Sequence, residues 1–583
     1  MKIKFSVLFL SLLLAACAHA PRQLSAEQDT DQRSIDMDAV LPAMSDAEKE
    51  QVYPKLELTD QMFYTFLLAD IAAQRGQAEL AAQAYMDLAK STRDVRVVRR
   101  AAQIAFESRQ MGQTLEALKL WHELEPQASI PKHMLATVLV SGGKLEEARP
   151  YLVEILAAES KNVGRNFTQI YPLFGRYADK AAAYKLLQEL AQPYPGVAEA
   201  HWVLAQAAEA AARHDEALRE VRRARVLRPE WEVPVLLEAQ LLNSKAPAEA
   251  LAATKKFLAE YPGANEIRLF YARSLLEQKL YPESRNQFQQ LLKTKPGNAD
   301  LAFAIALLSI QMGELDRAEQ ELKQTLAIGK KDSATVHYYL AQLNEAKKKD
   351  DVAMQEYQQV KEGEFAFISR LRMAFLLVKA DKLNAALDLL HHAEASNDQE
   401  GAQIILTEGQ ILRDAMQYAN AFQVLSKGLE KLPNHPDLLY EAAMVAEKQG
   451  KPEISEDLLR KLITVEPEHA QAYNALGYSL LDRKVRLEEA MKLVEKAYQL
   501  DPDNAAILDS MGWGYYLTGN LNKSVEFMRR AYAVYPDPEV AAHLGEVLWQ
   551  QGARDEAKNI WQANLKKNPD NSVLKAVIKK FIP

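Results

Sequence analysis

Proline spacing constrains this 583-residue chain more than any other feature. Prolines stand at Pro126, Pro195, Pro229, Pro262, Pro296, Pro433, Pro467, Pro502, Pro536 and Pro569, with gaps of 69, 34, 33, 34, 137, 34, 35, 34 and 33. The two long gaps are close to two and four times 34. Proline lacks a backbone N–H and so stops a helix. A stop recurring at this interval marks units of equal length, each too small to bury a core alone. Glycine (22) and proline (24) are otherwise sparse, which favours long helices over strand-and-turn architectures.

The period is that of the tetratricopeptide repeat (TPR), in which two antiparallel helices make one unit. The stretch from Ala505 to Pro536 shows why the residue types recur. Leu508 and Met511 share a buried face of the first helix, and Gly512 lets the second helix approach closely. Gly519-Asn520 makes the turn, and Ser524, Met528 and Ala531 line the packing face of the second helix. Neighbouring units repeat the scheme with Leu476-Gly477, Ala490 and Ala497, and with Leu544-Gly545, Ala557 and Trp561. The register continues where the proline is missing, as around Lys330. The expected fold is therefore all-α: a TPR-type right-handed superhelical solenoid of about fifteen helical hairpins over residues 60–569, closed by a capping helix within 570–583.

The N-terminus reads as a processing signal. Lys2 and Lys4 precede an apolar run from Phe5 to Leu14, too short for a lasting transmembrane helix, which needs about 20 residues. It ends in Leu14-Ala15-Ala16-Cys17, the pattern of a bacterial lipobox, and Cys17 is the only cysteine in the chain. Residues 1–16 are thus expected to be a lipoprotein signal peptide, with Cys17 the lipidation site that takes the diacylglycerol and its palmitate-type chains. Such acyl chains anchor durably, at about 0.8 kcal/mol per buried CH₂. Ala18 follows, not the aspartate that favours inner-membrane retention, so the outer membrane, facing the periplasm, is the expected location. Residues 17–59 then form a tether. Between Arg22 and Asp60 it holds ten acidic residues against four basic ones, a composition that cannot bury a core.

The remaining chemistry is mostly excluded. With one cysteine there is neither a disulfide framework nor a cysteine-based zinc site. A net charge of −8 leaves no nucleic-acid footprint. No phosphate loop, dinucleotide fingerprint, HExxH or GxSxG motif interrupts the period, so neither an enzyme nor a cofactor is expected. Ser141-Gly142-Gly143-Lys144 has Ser-x-x-Lys spacing, but its glycines mark an inter-helix turn. His391 and His392 are adjacent, and on a helix they point about 100° apart, unsuited to one metal.

Protein partners are the remaining class. In a TPR stack, positions 2, 5, 6, 9, 12 and 13 of each first helix look into the concave groove. That rule puts Tyr478 and Trp513 at position 9 and Tyr516 and Trp549 at position 12, with His543 and Glu546 nearby. Tyrosine and tryptophan offer large contact area at low entropic cost; the alternative is that these rings pack between units. A basic patch around Arg219, Arg222 and Arg223 is a second candidate, for an acidic partner or anionic glycan, against the alternative of pairing with Glu216 and Glu220.

The lipobox, the acidic tether, the run Ser91-Thr92-Arg93-Asp94-Val95-Arg96-Val97-Val98-Arg99-Arg100-Ala101-Ala102 and the run Leu508-Asp509-Ser510-Met511-Gly512-Trp513 together resemble long TPR lipoproteins of Gram-negative bacteria. The resemblance spans nearly the whole chain. Some members are adaptors for periplasmic carboxyl-terminal processing proteases and bring peptidoglycan hydrolases to them, so a protease and cell-wall hydrolases are the partners it implies. A pilot or assembly lipoprotein for an outer-membrane or cell-wall machine is the alternative. The last three units depart from TPRs that grip carboxylate tails with lysine and asparagine: position 5 here holds Asn474, Asp509 and Ala542.

Overall fold

A computed structural model describes residues 54–158, 162–175, 177–330 and 332–582. The signal segment, Cys17 and the tether up to residue 53 lie outside them. Among the described residues every regular element is helical. Thirty helices follow one another as fifteen two-helix units, each packed as an antiparallel hairpin except Val163–Phe174 with Lys180–Ala191, and one more helix, Ser572–Phe581, follows. The chain divides into two compact units, residues 1–330 and 331–583. The described part of the first holds eight of these helix pairs; the second holds seven and the final helix.

The prolines act as their spacing implies. The second helices Met111–Leu124, His214–Leu227, Leu521–Val534 and Arg554–Lys567 each end two residues before Pro126, Pro229, Pro536 and Pro569. Near Lys330, where no proline stands, the helix Leu315–Ile328 stops instead at Gly329 in a left-handed conformation (φ 92°). In the first unit one first helix is broken. Val163–Ile170 gives way to a 3₁₀ turn, Tyr171–Phe174, at Pro172, where the missing N–H interrupts the helical ladder.

The turn inside most hairpins is built by one recurring device. After Ala505–Leu517, Gly519 is left-handed (φ 85°), its N–H bonds to the Tyr516 carbonyl (3.1 Å), and the Asn520 N–H reaches back to the Tyr515 carbonyl (2.8 Å). This is a Schellman closure, which satisfies carbonyls orphaned at a helix end. The sequence pattern marks it only where glycine is present. Arg109, Ala212, Lys279, Lys348, Asp381, Met416 and Lys484 adopt the same conformation, with φ between 55° and 60°. A side chain there costs about 1 kcal/mol, so the closure and the stacking around it hold these residues in place.

Packing within a hairpin rests on the small residue of the first helix. At Gly512 an added Cβ would lie 2.7 Å from the Met528 Cγ, and at Gly409 2.9 Å from the Leu425 Cδ2. The buried Ser524 hydroxyl donates to the Gly512 carbonyl (2.7 Å), and Ser284 does the same to Ala272 (2.7 Å), pinning the two helices at their closest approach. Leu508, Met511, Met528 and Ala531 are buried around this point. In the last hairpin Trp561 takes the place of Met528, fully buried against Gly545. The final helix covers the end of the stack: Leu574 is fully buried, and Phe581 packs on Trp561 with ring centroids 5.8 Å apart.

Candidate partner-binding groove

Residues about one repeat apart in sequence become neighbours in space, and this rule assembles the site. The first helices of the last three hairpins, Ala470–Asp482, Ala505–Leu517 and Pro538–Gln551, stand side by side in the second unit. Asp509 and His543 are 34 residues apart, and the ring Nδ1 donates to the Asp509 carboxylate over 2.8 Å. Trp513 stacks on His543 (centroids 4.4 Å, planes 23° apart) and leans on Tyr516 (5.1 Å). Tyr478 approaches the same histidine from the neighbouring helix at 6.4 Å. Glu546 accepts hydrogen bonds from Lys580 of the final helix (2.8 Å) and from the Tyr516 hydroxyl (3.4 Å).

The electrostatics are those of half-buried rings among carboxylates. Burial disfavours a charged His543, but Asp509, with Glu539 and Glu546 behind it, outweighs that and holds the imidazole pKa above its ordinary value. Burial likewise pushes the Tyr478 phenol up, reinforced by Glu539, Asp509 and Asp482. Two polar atoms at the centre are left without partners: the Trp513 indole N–H and the Asp509 Oδ1, both shielded from solvent. An orphaned buried donor or acceptor costs about 1–3 kcal/mol.

The structure thus brings Tyr478, Trp513, Tyr516, His543 and Glu546 into one cluster. Trp549 belongs to a second stack, against Trp561 (5.8 Å) and Phe581 (5.8 Å), with Arg554 and Lys558 over its ring. Asp509, Glu539, Asp482 and Lys580 join the groove cluster although sequence reasoning did not select them. The 34-residue spacing of Asp509 and His543, and of Glu546 and Lys580, is the signal that would have found two of them.

The arginines of the basic patch are engaged within the chain. On the helix His214–Leu227, Arg223 donates to Glu220 (3.0 Å) and Arg219 lies 3.9 Å from Glu216. Arg222 reaches Glu238 on the next hairpin's first helix (2.8 Å), and Arg225 grips that same carboxylate. Glu238 is only 4% exposed, so these two arginines neutralise a buried charge. Of the other motifs, Ser141 and Lys144 flank a Gly142-Gly143 turn, and His391 bonds Glu408 while His392 turns to the Asp388 carbonyl. No helix among the described residues is long and apolar enough to cross a membrane.

Stacked hairpins with a shared inward face define a scaffold class that works by holding proteins. Comparison with known proteins agrees. Models of the tetratricopeptide repeat match residues 241–299, 275–343 and 440–505. The chain is 33% identical over 492 residues to the TPR repeat-containing protein PA4667 of Pseudomonas aeruginosa, covering 84% of this chain and 82% of that one. It belongs to the tetratricopeptide-repeat family that this relative represents. Among solved structures, a thermophilic TPR protein of Thermus thermophilus, TTC0263, aligns with 31% of this chain and 98% of its own at 24% identity, with a TM-score of 0.29. MamA of Desulfovibrio magneticus RS-1 aligns with 30% of this chain and 100% of its own at 20% identity, with a TM-score of 0.26.

Proposed function

We propose that this protein is an outer-membrane-anchored periplasmic adaptor. It gathers substrates such as peptidoglycan hydrolases and presents them to a carboxyl-terminal processing protease, and carries out no reaction itself. The lipobox Leu14-Ala15-Ala16-Cys17 supports the anchor, and the resemblance to adaptor lipoproteins supports the choice of partners. The observation that carries the binding role is the groove, where half-buried Tyr478, Trp513 and Tyr516 rings from two neighbouring first helices gather beside the exposed carboxylates of Asp482 and Glu539.

The test is capture from an envelope extract with the lipidated chain as bait. A processing protease and a cell-wall hydrolase should come with it. A secretin or cell-wall synthase in their place would make the protein an assembly lipoprotein instead. Cys17→Ser should release the chain from the outer membrane while leaving it folded; a variant still in that membrane fraction, with normal signal cleavage, would remove the lipid anchor from the proposal.

A further inference from the structure

The groove is not neutral. Asp482 and Glu539 are exposed at its edge, close enough to act on the Tyr478 hydroxyl, and neither makes an ion pair among the described residues. Asp509 is 7% exposed, and its Oδ1 has no hydrogen-bond partner although Oδ2 holds His543. Glu546 adds a fourth carboxylate, matched by Lys580. The cationic groups touching the cluster are therefore Lys580, spent on Glu546, and the His543 ring, spent on Asp509. The faces of Tyr478 and Trp513 are electron-rich in the same place. Aromatic faces and carboxylates attract the same kind of ligand, a lysine ammonium or arginine guanidinium. A carboxylate tail would meet repulsion from every side.

Resting on the adaptor reading, we propose that the groove of the last three hairpins receives a basic partner segment. A lysine or arginine head lies against the Tyr478 and Trp513 rings, held by Asp482 and Glu539 at the groove edge, with the buried Asp509 adding its charge from behind. The occupant is thus a peptide stretch with exposed basic side chains.

The experiment uses the full chain and short labelled peptides of alternating alanine and lysine, with acetyl-lysine and glutamate counterparts, read by fluorescence anisotropy. The lysine peptide should bind at least about tenfold more tightly than either counterpart, the size expected of a cation–π contact with its ion pairs. Asp482→Asn with Glu539→Gln should weaken the lysine peptide by about tenfold. Both positions are exposed, so the melting transition should stay where it was. Hydrogen exchange should show protection confined to residues 470–551. Equal binding of the acetyl-lysine peptide, no binding of the lysine peptide, or an unchanged double variant would each overturn the proposal. Its failure is separable from that of the adaptor reading: if envelope capture still returns the protease and hydrolase, only the basic-segment assignment is lost.

Discussion

Gly545→Ala adds one methyl group to the closest helix approach in the last hairpin, and its consequence can be worked from the packing. The new Cβ would lie 2.8 Å from the Trp561 Cδ1, and closer still to Nε1 and Cε2. Trp561 has nowhere to go. It is fully buried, its indole N–H donates to the Ala542 carbonyl (3.3 Å), and its ring packs against both Trp549 and Phe581. Overpacking a rigid site costs about 1–3 kcal/mol, and displacing the indole from its hydrogen bond adds about 1 kcal/mol. Alanine regains about 1 kcal/mol of helix propensity over glycine. The two smaller terms cancel, and the expected loss is therefore about 1–3 kcal/mol.

Gly512→Ala is the control, because the same clash there falls on Met528, whose unbranched chain can shift. Propensity gain and mild overpacking should nearly cancel at that site. Because repeats are stabilised mainly by their neighbours, a single global transition is the wrong readout. Segment-resolved hydrogen exchange is the right one. Gly545→Ala should lower protection in Pro538–Gln551, Arg554–Lys567 and Ser572–Phe581 and leave the first unit unchanged. Equal effects from the two glycine variants, or a uniform loss across all hairpins, would refute the reasoning.

Two further outcomes follow from the same contacts. Trp549→Ala should cost about 3 kcal/mol by emptying the stack with Trp561 and Phe581, whereas Trp513→Ala should reduce partner capture by more than it lowers the melting transition. Glu456 is held down to about 2 by the Arg486 guanidinium first and by Arg460 as well. Its depressed pKa stabilises the fold above its ordinary value of 4.5 and stops doing so as pH falls through about 2. Because the cluster lies at the surface, Glu456→Gln should cost about 1 kcal/mol at neutral pH, with the difference from the parent vanishing in strong acid in urea titrations.

The fold was legible because its punctuation is local. Proline removes a donor wherever it stands, so ten prolines sufficed to place the ends of ten second helices and to set the count of hairpins. Turns were legible only in part: a glycine announces a left-handed residue, but Lys279, Met416 and the others adopt that conformation within the same hydrogen-bonded closure, which no residue type marks. The groove was half legible for a similar reason. Repeat register gives the direction each residue faces, which gathered Tyr478, Trp513, Tyr516, His543 and Glu546. What terminates the stack is not a matter of register, so the draw of the final helix on Trp549 stayed hidden. The pairing of Arg222 and Arg225 with Glu238 was hidden too, because the partner sits on the next hairpin and not on the same helix, where Glu216 and Glu220 were sought.

The same geometry ties binding to the integrity of the stack. Tyr478, Trp513 and His543 come from three successive first helices, and Lys580 comes from the helix that closes the array. No hairpin carries the site alone. A change in spacing between neighbours moves the rings relative to one another, and an interface built from aromatic stacks loses contact steeply with distance. The final helix has two roles at once: Leu574 and Phe581 shield the end of the core, and Lys580 neutralises Glu546 so that the carboxylates left for a ligand are Asp482 and Glu539 at the groove edge. Loss of that helix would free the Glu546 carboxylate and unseat Trp561 together, altering charge and shape at one stroke. A repeat protein has no separate core on which to mount a site, so here the contacts that hold the hairpins together are also the walls of the groove.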